Sequence, residues 1–586
     1  MSSKSLGMGV FQRTSSVKDV DHAPVTSVLP DGDVPYTDHA LDADEQVILA
    51  LGYKQEFKRE FSLWTTFCVS FAVLGLLPSF ASTIYYGMGY AGTAGMVWGW
   101  IIAMVFIQCI AMSMAELCSA MPTRFASSSP VQTRIKKLTN IYPSGGLYYA
   151  AAVLAPPGWG PFAAWLTGWS NWIGQITAAP SVDYALSAMI LAAGSISNPG
   201  YVPTNWQIFL LTTLVMIIHA GISSMPTKRV AQFNSYGSTF NFLALVVTLI
   251  VIPAATRNDF TPSSEVSGKI TNQTDYPDGV AVLMTFVGVI WTMSGYDSPF
   301  HLSEECSNAN VASPRAIVMT SAFGGLFGWF LQLVVAYTVV DIEAVLDSDL
   351  GQPWASYLLQ VLPQKAALAI LGLTIICGFS MGQGCMVAAS RVTYAYARDD
   401  VFPFSNFFKE VNGYTQTPVN AVILNAVLGI LMCLLVLAGS VAIGALFSIG
   451  AIAQFVAFII PIFIRVFFVG DRFRKGPWNL GRYGPAIGGI GCSFVALMVP
   501  ILCLPSVTGR DLTLDLMNWT CLVYGGPMLI VTIWWFVDAH RWFKGPKVNV
   551  EHAVHPYDEA MVSEGVEPAN VPVPSPDSAK EDKPLS

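Results

Sequence analysis

The chain has 586 residues, of which 53% are hydrophobic and only 12% charged, and its mean hydropathy is +0.52. A soluble surface needs about 25% charged residues or more, so this composition excludes a soluble enzyme, a nucleic-acid-binding protein and a secreted disulfide scaffold. The net charge of −8 describes the two ends alone, because residues before Phe61 carry six Lys/Arg against ten Asp/Glu and those after Gly545 carry three against eight.

Long apolar segments predict an all-α polytopic membrane protein with twelve spans. The transporter domain, 54–545, lies between polar tails at 1–53 and 546–586, which we predict to be disordered and cytoplasmic. Five spans form a first repeat over 62–253 and five a second repeat over 279–467, and two extra spans occupy 487–537. The predicted spans are 62–86, 94–114, 162–192, 206–224, 236–253, 279–302, 317–340, 366–391, 418–438, 441–467, 487–504 and 519–537.

Positive charge supports this count. If both tails are cytoplasmic, the inside loops and juxtamembrane ends carry 21 Lys/Arg, whereas the outside loops carry only Arg257, Lys269, Lys365 and Arg510. This asymmetry satisfies the positive-inside rule, and a count that missed one span would not show it. The sequon at Asn272 then falls in an outside loop, which makes Asn272 a glycosylation candidate.

The first and sixth spans are interrupted in similar ways. The first contains Gly75, Leu76, Leu77, Pro78 and Ser79, and the sixth contains Ser294, Gly295, Tyr296 and Asp297, followed by Ser298 and Pro299. Glycine and proline break the helical hydrogen-bond ladder, and matched breaks in two repeats indicate a midplane binding site in secondary transporters. The alternative is a pair of ordinary proline kinks, and we favour the binding site.

Asp297 is the most informative single residue. A carboxylate inside a span costs several kcal/mol unless it is paired, hydrated or protonated. One interpretation is that it caps the half-helix that starts at Ser298, and the other is that it pairs a substrate ammonium or exchanges a proton during transport; the two roles are compatible. The start of a half-helix after Gly75 offers amides to a substrate carboxylate, so together the two breaks suit an amino-acid-sized zwitterion. An organic cation, which needs only the second half, is the alternative.

Four further acidic residues are candidates for coupling or gating. Asp183 in the third span is either a cavity residue or, as we favour, a satisfied interior polar group. Glu116, Glu304 and Glu305 lie at predicted cytoplasmic span ends, where they would pair with basic loop residues. The G-x-S-x-G pattern at 378–382 matches the nucleophile elbow of hydrolases, but no strand precedes it, so we interpret it as a helix-packing motif. We expect no enzyme activity, cofactor or metal.

Several motifs carry a family resemblance that runs from about Leu51 to Gly545. The chain resembles the fungal amino acid, GABA and choline permeases of the amino acid–polyamine–organocation superfamily. This resemblance implies a five-plus-five inverted-repeat fold with two added C-terminal spans, and proton-driven uptake at the plasma membrane. The motifs are 112–117 with 121–123, 144–149, 294–297 with 301–305, 397–403, 476–481 and 517–520.

The segment 124–143 departs from the family pattern. It is a basic stretch without apolar period that separates Met121-Pro122-Thr123 from Ser144-Gly145-Gly146. Codons for Arg124-Phe125 can supply a splice donor and those for Pro143-Ser144 an acceptor, and excision would restore one serine. We favour translated intron sequence over a tolerated cytoplasmic loop insertion; transcripts that cross the segment without a junction would exclude the intron.

Three functions remain open from the sequence. The first is a proton-coupled importer of amino acids or GABA-like zwitterions that works by alternating access. The second is a choline or polyamine transporter of the same fold. The third is a non-transporting nutrient sensor, which usually carries a long cytoplasmic domain that these short tails do not provide. The expected partners are a small-molecule substrate, a coupling ion and membrane lipid. The family resemblance implies that the coupling ion is H⁺.

Overall fold

The computed structural model describes residues 62–120, 146–256, 260–303, 306, 308–348, 350–438, 440–513 and 516–546. The N-terminal tail, the segment 124–143, Glu304, Glu305 and the C-terminal tail after Pro546 lie outside the described residues. The predictions made for them stay predictions.

Helices account for nearly all regular structure in these ranges. We number them in chain order: α1 (Leu63–Leu74), α2 (Leu76–Ala120), α3 (Leu147–Leu154), α4 (Gly160–Ser197), α5 (Asn205–Ser223), α6 (Thr227–Thr256), α7 (Ser263–Gly268), α8 (Asp278–Met284), α9 (Phe286–Thr292), α10 (Ser298–His301), α11 (Ala309–Thr338), α12 (Ile342–Leu346), α13 (Pro353–Val361), α14 (Gln364–Arg398), α15 (Ser405–Phe408), α16 (Val419–Cys433), α17 (Ser440–Ile464), α18 (Gly484–Ile501), α19 (Thr520–Trp534) and α20 (His540–Trp542). The turns Arg465–Val469 and Trp535–Ala539 are π-helical.

The expected membrane architecture is confirmed. Ten helical segments of the described chain are long and apolar enough to cross a membrane. The first of them, Leu63–Ala120, contains two of the predicted spans, because the backbone of Ala91 and Gly92 is not helical and α2 turns back there. The sixth predicted span corresponds to the shorter apolar segment Asp278–Thr292 and the residues that follow it. These assignments account for all twelve predicted spans.

The interior is built mainly by α2, α4, α11, α14 and α17, which pack against one another around the interrupted spans. The second half of α2 packs along α11, and α4 packs against both α14 and α17. Fully buried rings, among them Trp100, Tyr296 and Phe458, fill the spaces between these helices. The outer helices leave one face apolar and exposed: on α5, Leu210 is 52% exposed and Met216 is fully buried. This is the pattern of a bundle whose outer surface meets lipid.

Candidate functional site

The break in the first span is confined to one residue. Gly75 ends α1 in the left-handed conformation, with φ of 46°, and its N–H donates to the Phe71 carbonyl at 3.0 Å. Helix α2 begins directly afterwards at Leu76, so Pro78 lies in a first helical turn, where its missing N–H costs nothing. The Ser79 hydroxyl donates back across the break to the Leu74 carbonyl at 2.8 Å. Leu76 to Ser79 are therefore buried helix, not unwound chain.

The break in the sixth span is longer. Helix α9 ends at Thr292 and α10 begins at Ser298, and between them Gly295 has a φ of 107°, which favours glycine. The Gly295 carbonyl accepts from the N–H and the hydroxyl of Ser298, at 3.2 and 2.8 Å, and from the Ser70 hydroxyl of α1 at 3.3 Å. The unwound segment is thus held to the first span by a hydrogen bond.

The two breaks contact each other. A Cβ atom at Gly295 would lie 2.7 Å from Val73 Cγ1 and 3.2 Å from the Leu74 nitrogen, so only glycine lets the sixth span approach α1 this closely. Gly384 of α14 faces the same stretch, since its Cβ would lie 3.2 Å from Val73 Cγ2. The matched interruptions read from the sequence are therefore neighbours in space, with α14 beside them.

A narrow cavity lies beside this crossing, and its volume of about 20 Å³ has room for about one water molecule. Of the predicted site residues, Ser294 and Gly295 line it, whereas Gly75 borders it only through Met381, whose side chain lies against the Gly75 backbone. Leu76, Leu77, Pro78 and Ser79 do not line it. The other lining residues are Val73, Gly174, Gln175, Ala178, Val182, Trp291, Met381, Cys385, Gly450 and Gln454.

Asp297 lies one layer behind the cavity wall. Its carboxylate is fully buried and accepts from Gln175 Nε2 at 3.0 Å, and Gln175 itself lines the cavity. His301 Nε2 lies 3.2 Å from the same oxygen, and Oδ1 makes no hydrogen bond to the protein. Asp297 is the N-cap residue of α10, as one interpretation of the sequence held, but its side chain makes no capping hydrogen bond to the helix. An acceptor oxygen remains for an ammonium group or a proton.

A polar chain continues from Asp297 away from the cavity. Asn171 Nδ2 lies 3.5 Å from His301 Nε2 and donates to the Tyr396 hydroxyl at 3.1 Å. Asn171 and Gln175 stand four residues apart on one face of α4, so both reach the sixth span. The pair precedes Asp183 in the same helix, but its hydrogen-bonding contacts are with Asp297, His301 and Tyr396.

Asp183 belongs to a second buried pair. His219 Nδ1 of α5 lies 3.1 Å from both carboxylate oxygens, and both side chains are fully buried. Asp183 thus has a buried polar partner and does not line the cavity, which agrees with the interpretation that the sequence analysis favoured. Nothing in the sequence linked it to His219, since 36 residues separate the two.

Glu116 forms an ion pair at the end of the second span. Its Oε2 lies 3.2 Å from Arg465 Nε in the π-helical turn after α17, and its Oε1 accepts from the Leu480 N–H at 3.1 Å. Arg465 also stacks on Phe473, 4.2 Å from the ring centroid. Both charges are nearly fully buried, so the pair fastens the 470–483 loop over the ends of α2 and α17.

We expect Glu116→Gln to destabilise the fold by about 3–5 kcal/mol, because removing one partner of a buried pair leaves the other charge uncompensated. The melting temperature of the detergent-purified protein measures this effect. The matched control is Glu343→Gln, an exposed residue in α12, which should leave the melting temperature unchanged. Equal melting temperatures for the two variants would contradict a buried Glu116–Arg465 pair.

The sequon asparagine is engaged in local hydrogen bonds. The Asn272 amide nitrogen donates to the Tyr276 carbonyl at 2.7 Å and to Asp278 Oδ1 at 3.0 Å, and its oxygen accepts from the Thr274 N–H and hydroxyl. A glycan on Asn272 would have to replace at least one of the two donated bonds. Glycosylation at this site stays a prediction.

Several lining residues were missed by the sequence reasoning. Trp291, Gly450 and Gln454 reach the cavity because α17 packs against α9 and α4. Of these residues, only Gln454 could have been predicted from the sequence, because it is a polar side chain within the apolar run 446–464. Within the described residues, no group of three His, Cys, Asp or Glu side chains could hold a metal ion.

Comparisons with known proteins all find permeases or transporters. The profile of the amino acid permease family matches residues 137–527. An uncharacterized amino-acid permease of Schizosaccharomyces pombe is 56% identical, over 95% of this chain and 97% of its own. A Candida albicans relative that is named, provisionally, as a polyamine transporter is 46% identical over 90% of this chain and 94% of its own. An amino-acid permease of Arabidopsis thaliana is 30% identical over 87% and 97%.

Proposed function

The chain belongs to the amino acid permease family, and from this premise we propose that it is a proton-coupled importer of amino acids or GABA-like zwitterions. Alternating access would take place around the cavity between the two interrupted spans. The observation that carries this proposal is the contact of Gly295 with α1, which brings both helix breaks to one cavity wall. Both termini would be cytoplasmic and the membrane the plasma membrane, as the distribution of basic residues and the family resemblance favour.

The cavity offers different groups to the two ends of a zwitterion. Leu76 and Leu77 do not line the cavity in this closed form, but an open state of the cavity would expose their N–H groups at the start of α2, where these would hold a carboxylate next to Gly75. The carboxylate of Asp297, reached through Gln175, suits an ammonium group. A carboxyl group and an amine held in this way would lie across the contact between the two spans.

An organic cation such as a polyamine is the second candidate. Within the described residues, the cavity lining contains no Lys or Arg, while Asp297 lies behind it with one oxygen free of protein donors. A lining of this kind has no basic side chain that would repel a multiply charged cation. The name of the Candida albicans relative points the same way.

Uptake into a permease-deficient host distinguishes these functions. The panel is radiolabelled leucine, glutamate, lysine, GABA, choline and spermidine, measured at external pH 5 and pH 7. We expect saturable uptake of an amino acid or GABA that is faster at pH 5. Uptake of choline or spermidine alone would favour the cation transporter, and no uptake of any compound by a surface-expressed protein would contradict both.

A further inference from the structure

A second buried Asp–His pair lies beside the cavity, apart from Asp297 and His301. His219 Nδ1 faces both oxygens of Asp183 at 3.1 Å, and neither side chain reaches solvent. The other ring nitrogen of His219, Nε2, is buried and makes no hydrogen bond in the described structure. The ring packs instead on Phe379, with centroids 4.5 Å apart. One nitrogen is thus committed to the carboxylate, and the other is a site where a proton can be bound or absent.

The pair lies directly behind the cavity wall. Val182 and Met381 line the cavity, and their chain neighbours Asp183 and Gly382 make the contact behind it. A Cβ atom at Gly382 would overlap Asp183 Oδ1 and lie 2.7 Å from His219 Cε1. The pair therefore presses against the backbone of α14 at the turn that faces the cavity. A change in its charge would act on the wall without any contact between the pair and the substrate.

The surroundings make the net charge of this pair costly. With a neutral imidazole the pair carries −1, and with an imidazolium it is neutral overall. A net charge buried among apolar helices is strongly unfavourable, whereas a neutral ion pair is less so. Besides His219, the titratable groups that face Asp183 from the packed helices are the thiols of Cys385 in α14 and Cys433 in α16. Cys385 also interacts with Asp297 of the sixth span, so it lies between the two carboxylates.

We propose that Asp183 and His219 form a proton-binding site that couples the proton gradient to movement of the substrate-bound cavity wall. The inference rests on the proposed proton-coupled function and names the residues that carry the proton. The proton adds to the Nε2 lone pair of His219, whose Nδ1–H stays on Asp183, and it leaves to water when the alternate state opens a path. Because the protonated pair is neutral overall, it is the form that can stay buried while the cavity is closed to water. In this assignment Asp297 binds the substrate and does not carry the coupling proton.

The test separates proton-driven accumulation from exchange in proteoliposomes that contain the purified full-length protein. Each compound of the uptake panel that the wild type transports is measured in two ways: accumulation driven by an imposed inward pH gradient, and counterflow at equal pH on both sides. For Asp183→Asn and for His219→Gln we expect accumulation to fall at least tenfold and counterflow to stay within threefold of the wild type. Asp347→Asn, an exposed loop residue, is the matched control and should change neither.

The other outcomes each overturn a different statement. If the wild type exchanges substrate but no pH gradient drives accumulation, the proposed proton coupling is wrong and this inference falls with it. If the wild type accumulates substrate and both variants still respond fully to the gradient, the pair is not the coupling site although the proposed function stands. Loss of counterflow together with accumulation, in variants that elute and melt as the wild type does, would assign the pair to substrate binding or to structure. Should one variant fail to fold, the other decides.

Discussion

Uptake by the Asp297→Asn variant is expected to fall roughly 10- to 150-fold, while the amount of protein at the cell surface stays unchanged. The structure places this carboxylate behind Gln175, with one oxygen that no protein group occupies. A hydrogen bond to a charged group contributes about 1.5–3 kcal/mol, which corresponds to that range of affinity. The asparagine keeps the size of the side chain and still accepts from Gln175, so folding should tolerate it.

The matched control for this prediction is Asp347→Asn, the same change at an exposed position. Initial rates of radiolabelled uptake and surface biotinylation are measured side by side for the two variants. If Asp297→Asn transports at a near-normal rate, Asp297 takes no part in binding or coupling, and the cavity recognises its substrate through backbone groups and Gln175 alone.

Gly295→Ala is expected to have an equally large effect by a different route. A non-glycine residue at positive φ costs about 1–2 kcal/mol, and the new methyl group would meet Val73 at 2.7 Å and the Leu74 backbone at 3.2 Å. The sixth span can accommodate the methyl group only by moving away from α1, which separates the two breaks. We expect at least a tenfold loss of uptake and a lower melting temperature.

Gly279→Ala is the control for the glycine prediction, because Gly279 lies in the same span and a Cβ atom there would meet no atom within 4 Å. Alanine at this helical position should be neutral or slightly stabilising. Uptake and the melting temperature of the purified protein are compared for the two variants. Equal behaviour would mean that the close approach of the sixth span to α1 is not needed for transport.

The sequence predicted features that leave a local signature. Gly75 and Gly295 stood out because a proline follows each of them within four residues in matching spans, and Asp297 because a carboxylate is unusual in an apolar span; the structure places all three at or beside the crossing of the two spans. The extent of the first break could not be predicted in this way. Pro78 was interpreted as part of the unwound segment, yet it lies in the first turn of α2, where proline fits a helix.

The partners of the buried polar residues could not be predicted, because they depend on which helix faces meet. In a membrane protein the lipid-facing and interior faces are both apolar, so periodicity does not tell them apart. On α5, Leu210 is exposed and Met216 is buried, although both are hydrophobic. For the same reason the sequence did not indicate that His219 would reach Asp183, and it predicted a basic partner for Glu116 without identifying Arg465.

The central claim is that the substrate rests where the interrupted first and sixth spans cross. An experimental structure of the full-length protein in lipid nanodiscs, determined with saturating amounts of the compound that the uptake panel identifies, tests it most directly. We expect ligand density in contact with Ser294, Gly295 and Gln175, within reach of the start of α2 at Leu76. Two continuous helices in place of the interrupted spans, or a ligand bound elsewhere with this cavity closed, would contradict the claim.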